Sequence, residues 1–145
     1  MKVTPLFITQ KKNLFNMCLS YTIKTHPGYM PKVAKKNIIC YKILIEDEEG
    51  KYSSPIYNKK KWEIGKTYTN KQKRCDFAGA VYGGFYHTYV NKEKAKEASK
   101  RCHGNKSHVV KCIIPKGTMY FVGNVNYSRI RGYASRTLKI EEILK

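Results

Sequence analysis

Acidic side chains are scarce in this chain: ten Asp and Glu stand against twenty-nine Lys and Arg, leaving a formal charge of +19 on 145 residues. Acid–base enzymology, which draws on placed carboxylates, therefore has few parts to work with. Long apolar runs are missing too. The most apolar stretch near the start, LFNMCLSYTI (14–23), is broken by Asn16 and Ser20 and lacks a small-residue cleavage site. No run approaches the roughly 20 apolar residues that span a bilayer, so neither a membrane segment nor a secretory leader is expected. The five cysteines form no Cys-x-x-Cys pair, the knuckle that aims two sulfurs at one ion. With an odd number and no regular spacing, they read as free thiols in a reducing, cytoplasmic-type compartment. GAVYGGF (79–85) lacks the Gly-Lys-Ser/Thr ending of a nucleotide loop, and its glycines lead into a strand, not a helix. No metal and no cofactor is expected.

What is abundant is positive charge and tyrosine. Self-repulsion at this net charge opposes the compact state unless an anionic partner offsets it, and nucleic acid is the commonest such partner. The charge is uneven. Residues 1–37 carry seven lysines and no acid, and residues 70–106 carry nine basic groups against three acids. Residues 38–69 are nearly neutral because EDEE (46–49) lies there, in a turn expected to point away from the partner. Twelve tyrosines each add an apolar ring with a polar tip, enough for a folded domain despite only 41% hydrophobic residues.

The chain is expected to fold as one small α+β domain over 38–145: a twisted, mainly antiparallel sheet with one principal helix. A basic N-terminal arm, 1–37, precedes it. The arm is punctuated by Pro5, Pro27, Gly28 and Pro31, with short elements at Leu6–Thr9 and Leu14–Ile23. IICYKILI (38–45) alternates as a strand, with Ile39, Tyr41, Ile43 and Ile45 on one face and Cys40 and Leu44 on the other. Gly50 closes the acidic turn. Strands at 52–57 and 62–69 follow, the second bent at Gly65.

FYHTYV (85–90) places Phe85, His87 and Tyr89 on one face and Tyr86, Thr88 and Val90 on the other. Asn91 is a natural cap for a helix whose stripe is Ala95, Ala98 and Cys102, with Gly104 as its stop. Strands at 107–114 and 118–122 turn at Pro115-Lys116-Gly117. A polar loop spans 123–132, and a last strand closes the chain at 133–144, with a helical turn at EEIL as an alternative ending.

Three constellations invite a chemical reading. Cys102, His103, His108 and Cys112, with Cys75 outside them, are ligand types without ligand spacing, and are expected to be buried thiols and surface imidazoles. Cys75 beside Lys73 and Arg74 has the surroundings of a reactive thiol, and His87 between Tyr86 and Tyr89 those of an acid or base. Asp76 is the one acid near that thiol. The third is a basic surface interleaved with aromatics. It comprises Lys71, Lys73 and Arg74, then Lys92, Lys96, Lys100 and Arg101 of the helix, then Arg129, Arg131 and Arg136, with Tyr82, Tyr86, Tyr127 and Tyr133. Lys and Arg neutralise phosphate and Tyr stacks on bases, so this set is the expected binding surface, with Tyr86 as its chief aromatic. No helix-turn-helix, zinc finger or RNA-binding aromatic motif accompanies it, so sequence-specific reading is not expected.

CYKIL (40–44), YSSPIY (52–57), WEIGKTY (62–68), GGFYHTYVNKEKAKE (83–97), VVKCIIPKGTMYFVG (109–123) and GYASRTLKIEEI (132–143) together resemble short uncharacterised proteins of tailed phages and mobile elements. That resemblance implies a phage setting and no activity. It makes the expected partner nucleic acid, an acidic host protein or a ribonucleoprotein, met in the host cytoplasm or in the virion. The order strand, Gly-Phe-Tyr, helix also resembles mono-ADP-ribosyltransferases, which implies a catalytic Glu late in the chain and an Arg or His on the first strand. Glu141 and Glu142 are the late acids, and Ile38–Ile45 contains neither Arg nor His. The main expectation is a non-enzymatic basic protein that occupies an anionic surface, for example an inhibitor of a nuclease-type host defence complex or a nucleic-acid-associated virion component.

Overall fold

The computed structural model describes residues 19–20, 31–55, 61–70, 76–77, 80–81, 85–102, 106–125 and 128–145. Among them are thirteen strands and one helix. The strands are β1 (Leu19–Ser20), β2 (Lys32–Val33), β3 (Ile38–Glu46), β4 (Tyr52–Ser53), β5 (Lys61–Trp62), β6 (Thr67–Thr69), β7 (Asp76–Phe77), β8 (Ala80–Val81) and β9 (Tyr86–Tyr89). After the helix α1 (Lys92–Lys100) come β10 (Ser107–Ile114), β11 (Met119–Val125), β12 (Arg131–Ser135) and β13 (Thr137–Leu144). They join in one sheet in the order β6-β13-β10-β3-β9-β12-β11-β1-β8-β7, with β2 beside β11 and β4–β5 branching from β3. Its pairings are antiparallel throughout. The α+β architecture is the one the sequence implies.

The sheet turns over on itself. β12 and β13 are one extended run interrupted at Arg136, whose N–H donates to the Met119 carbonyl at 3.0 Å. β12 pairs with β9 and β11, whereas β13 pairs with β10 and β6. The two halves thereby enclose a shared interior. From one half come Cys40, Leu44, Val110, Cys112, Ile114, Leu138 and Ile140; from the other Tyr86, Tyr120 and Tyr133. A bulge between Lys111 and Cys112 sets two residues of β13 against one step of β10, which keeps Ile143 against the same core as Leu138 and Ile140.

The opposite face of β3 carries Ile43 and Ile45, and α1 covers it. Asn91 caps the helix, its Oδ1 accepting the Lys94 N–H at 3.0 Å. Ala95, Ala98 and Ser99 are buried, and Ala98 and Cys102 pack with Ile43, Ile45 and Tyr89. Small side chains in the stripe let a short helix lie close on the sheet. Gly50 closes its turn as expected at φ +77°, but the single strand expected over 62–69 is two. β5 ends at Trp62 beside β4, and β6 begins at Thr67 beside β13. Gly65, at φ +90°, makes a turn between them in a region that other residues adopt only at a cost.

Several expectations change. Part of the segment read as an arm belongs to the sheet: β2 pairs with β11, and Ala34 is buried in the core. The stretch 123–132 is not a loop throughout, because β11 runs to Val125 and β12 begins at Arg131, forming a hairpin. The chain's last residues stay in strand to Leu144, so EEIL makes no helical turn. The helix ends at Arg101; Gly104, the expected stop, and Leu6–Thr9 lie outside the described residues.

Candidate anion-binding surface and polar interior

α1 displays its cations because its other face is anchored. Lys92, Lys100 and Arg101 are exposed and Lys96 is half-exposed. Lys92, Lys96 and Lys100 stand four residues apart, a row with about 6 Å of rise between neighbours. The start of β12 lies beside the entry to α1, since the Arg131 carbonyl accepts the Val90 N–H at 3.2 Å. Arg131 lies two residues before Tyr133 on β12, however, and so shares its face, the one opposite α1. Arg129 is exposed nearby in the chain, and Arg131 donates to Asn124 Oδ1 at 3.4 Å.

The acids are mostly engaged elsewhere. Asp47 holds Lys61, Glu49 holds Lys51, Glu63 holds Lys66, Glu141 holds Lys139 and Glu142 holds Lys111. On α1 itself only Lys94 is matched, to Glu97 at 3.8 Å. Among the described residues no ion pair reaches Lys92, Lys96, Lys100, Arg101 or Arg129. Glu93, in the first helical turn, is where a carboxylate favours the helix dipole.

The acidic turn lies closer to this surface than expected. Ser107 pairs with Ile45, and Ser99 of α1 bonds Ser107 at 2.6 Å, so residues 46–49 adjoin the C-terminal end of α1. Their charge is partly spent: Glu46 meets His108 at 2.9 Å, and Asp47 accepts the Lys51 and Glu49 backbone N–H groups, which hold its carboxyl below the usual range.

Tyr86 is a correction. It is 8% exposed, with its ring 5.5 Å from Trp62 in edge contact, so it belongs to the core and cannot stack on a partner. Tyr133 likewise packs inward beside Tyr120. Arg136 is structural: its guanidinium lies 5.3 Å from the Phe85 ring and donates to the Asn70 carbonyl. Lys71, Lys73, Arg74, Tyr82 and Tyr127, with Cys75 and His103, fall outside the described residues.

The interior holds a residue the sequence reading passed over. Lys42 sits between Cys40 and Leu44 in a period-2 strand, so it points inward with them. Its Nζ donates to the His87 carbonyl at 3.0 Å and stands 5.2 Å from the centre of the Trp62 ring. Trp62 is walled by Tyr68 at 4.8 Å and donates through Nε1 to Ser54. Thr88 and Ser135 are wholly buried, and among the described residues neither hydroxyl has a nitrogen or oxygen partner. The alternation alone carried this signal: a lysine flanked at ±2 by core residues.

The chemical constellations disperse. Cys112 faces the interior, Cys102 packs on the opposite side of the sheet with Ile43, and His108 is held by Glu46. Among the described residues no three His, Cys, Asp or Glu are grouped to hold a metal ion, and no helix is long and apolar enough to cross a membrane. Glu141 and Glu142 are paired to lysines on a strand. Compared with known proteins, the chain matches no protein family, no curated protein and no solved structure.

Proposed function

We propose that this chain is a non-enzymatic basic binding protein that occupies an anionic macromolecular surface: nucleic acid, or the acidic groove of a protein that binds nucleic acid. The observation that carries this reading is the cation row of α1, presented on a helix fixed to the sheet, where among the described residues no ion pair reaches Lys92, Lys96, Lys100 or Arg101. A row held in place loses less side-chain and loop freedom on binding than one on a mobile tail. Each cation that meets a phosphate releases condensed counterions, an entropic gain that grows as salt falls. The exposed large apolar residues, Val33, Ile39 and Ile64, lie neither on α1 nor at 129–131. Among the described residues α1 and 129–131 therefore present no exposed large apolar side chain, which favours phosphate over a protein hot spot. Two roles suit such a protein: an inhibitor of a nuclease-type host defence complex, and a nucleic-acid-associated virion component.

The test is fluorescence anisotropy of labelled single-stranded and duplex oligonucleotides across a salt series. Wild-type affinity is expected to fall by about 0.7–0.9 log units per log unit of salt for each phosphate contact. A variant carrying Lys92→Glu, Lys96→Glu, Lys100→Glu and Arg101→Glu is expected to lose binding while keeping its circular dichroism, since exposed substitutions cost about 0.5 kcal/mol or less each. Salt-independent binding, or a variant that binds like wild type, overturns the reading.

A further inference from the structure

β3 and β10 form the longest ladder among the described residues, and within it Cys40 is the direct partner of Cys112. Opposed Cα atoms in an antiparallel ladder lie about 4.5 or 5.5 Å apart, according to whether the pair is hydrogen-bonded. Both spacings fall inside the roughly 4.4–6.8 Å window of a disulfide. Directly opposed residues also send their side chains to the same face. Here both enter the same core, each 0% exposed, and both are free thiols. The other described cysteine, Cys102, sits on the far side of the sheet with Ile43 and Ala98.

We infer that Cys40 and Cys112 are a latent cross-strand disulfide site, closed by a low-molecular-weight disulfide as oxidant. One protein thiolate attacks the small disulfide, forming a mixed disulfide and expelling one small thiolate, which takes up a proton. The second protein thiolate attacks the protein sulfur of that mixed disulfide, forming the Cys40–Cys112 bond and expelling the other small thiolate. The two protein thiols are oxidised and one small disulfide is reduced to two small thiols.

Burial governs when this happens. It pushes the Cys40 thiol up to about 12, with Thr88 and Lys42 only partly opposing it, and pushes Cys112 up as well. The folded pair is thus short of thiolate and closed to the oxidant, whereas in the unfolded chain both thiols are ordinary and accessible. Closure belongs to the folding chain and to openings of the β3–β10 ladder. It pins the two strands across about 70 intervening residues that include α1. Nothing in this inference depends on anion binding.

The experiment is refolding of the full chain in mixed reduced and oxidised glutathione, followed by acid quench, alkylation and mass mapping of unreduced peptides. The expected product carries three alkyl groups, on Cys18, Cys75 and Cys102, with the peptides of Cys40 and Cys112 joined. The same buffer applied to the folded chain is expected to form that link many-fold more slowly. A Cys102→Ala chain is expected to give the same link. Recovery of Cys40 and Cys112 both alkylated after refolding, or joined to other cysteines, overturns the inference.

Discussion

Trp62 is the place to test the packing of the interior. It is the only tryptophan, sits on a two-residue strand and is 5% exposed. Its ring contacts Tyr68 and Tyr86 edge-on and faces the Lys42 ammonium. Trp62→Ala removes a buried ring, which costs about 3–5 kcal/mol when the site cannot collapse. The two aromatic contacts lie within that figure, at about 0.5–1.5 kcal/mol each. Collapse is hindered here, because the walls come from separate strands, β6 and β9. Against the usual total stability of about 5–15 kcal/mol this is a large loss. With a urea dependence of about 2 kcal/mol per molar, the midpoint is expected to drop by about 2 M. Trp62→Phe, which keeps a ring but loses the bond to Ser54, is expected to cost less than half as much. Urea titration by far-UV circular dichroism reads both. A loss below about 1 kcal/mol for Trp62→Ala would show that β5 does not close the interior, and the reasoning would fall.

Two further outcomes follow from the same packing. Between pH 9 and about 12 the folded chain keeps the Cys40 proton that the unfolded chain has released, so stability falls along a slope as pH rises through that window. Cys40→Ala is expected to lessen that slope in urea titrations at stepped pH, the buried Cys112 thiol keeping its own share, and equal slopes would contradict the burial argument. Asn91→Ala removes the cap of α1 and is expected to cost about 1 kcal/mol, read as a lower midpoint with unchanged oligonucleotide affinity once folded.

What the sequence made legible was local. Ser107–Ile114 stands as expected because SHVVKCII alternates without interruption, and α1 because Asn91 and an alanine stripe mark its start and its face. The turn at Gly50 is written in a residue whose backbone freedom is needed there, whereas Gly65 was read as a bend within one strand and makes a turn between two. What stayed hidden depends on partners distant in sequence. Gly123, Asn124 and Gly132 carry no strand preference, and become strand because neighbouring strands supply the ladder. β4 and β5 are too short to show a period. For β9 the alternation was right but both faces are covered, so period alone could not tell that Tyr86 faces the core and not a partner. Within the proposed surface, the exposure of Lys92, Lys100 and Arg101 followed from the alanine stripe, while the nearness of the acidic turn followed only from the β3–β10 register.

The central claim, that the cations of α1 meet the anionic partner, is tested most directly by lysine footprinting. The full chain is acetylated with a limiting amine-reactive ester, alone and saturated with a single-stranded oligonucleotide, and each lysine is followed by peptide mass spectrometry. The account predicts that Lys92, Lys96 and Lys100 become protected several-fold, while Lys66 and Lys139, held by Glu63 and Glu141, react as before. Protection confined to Lys66 and Lys139, or equal reactivity of the α1 lysines with and without the oligonucleotide, would contradict it.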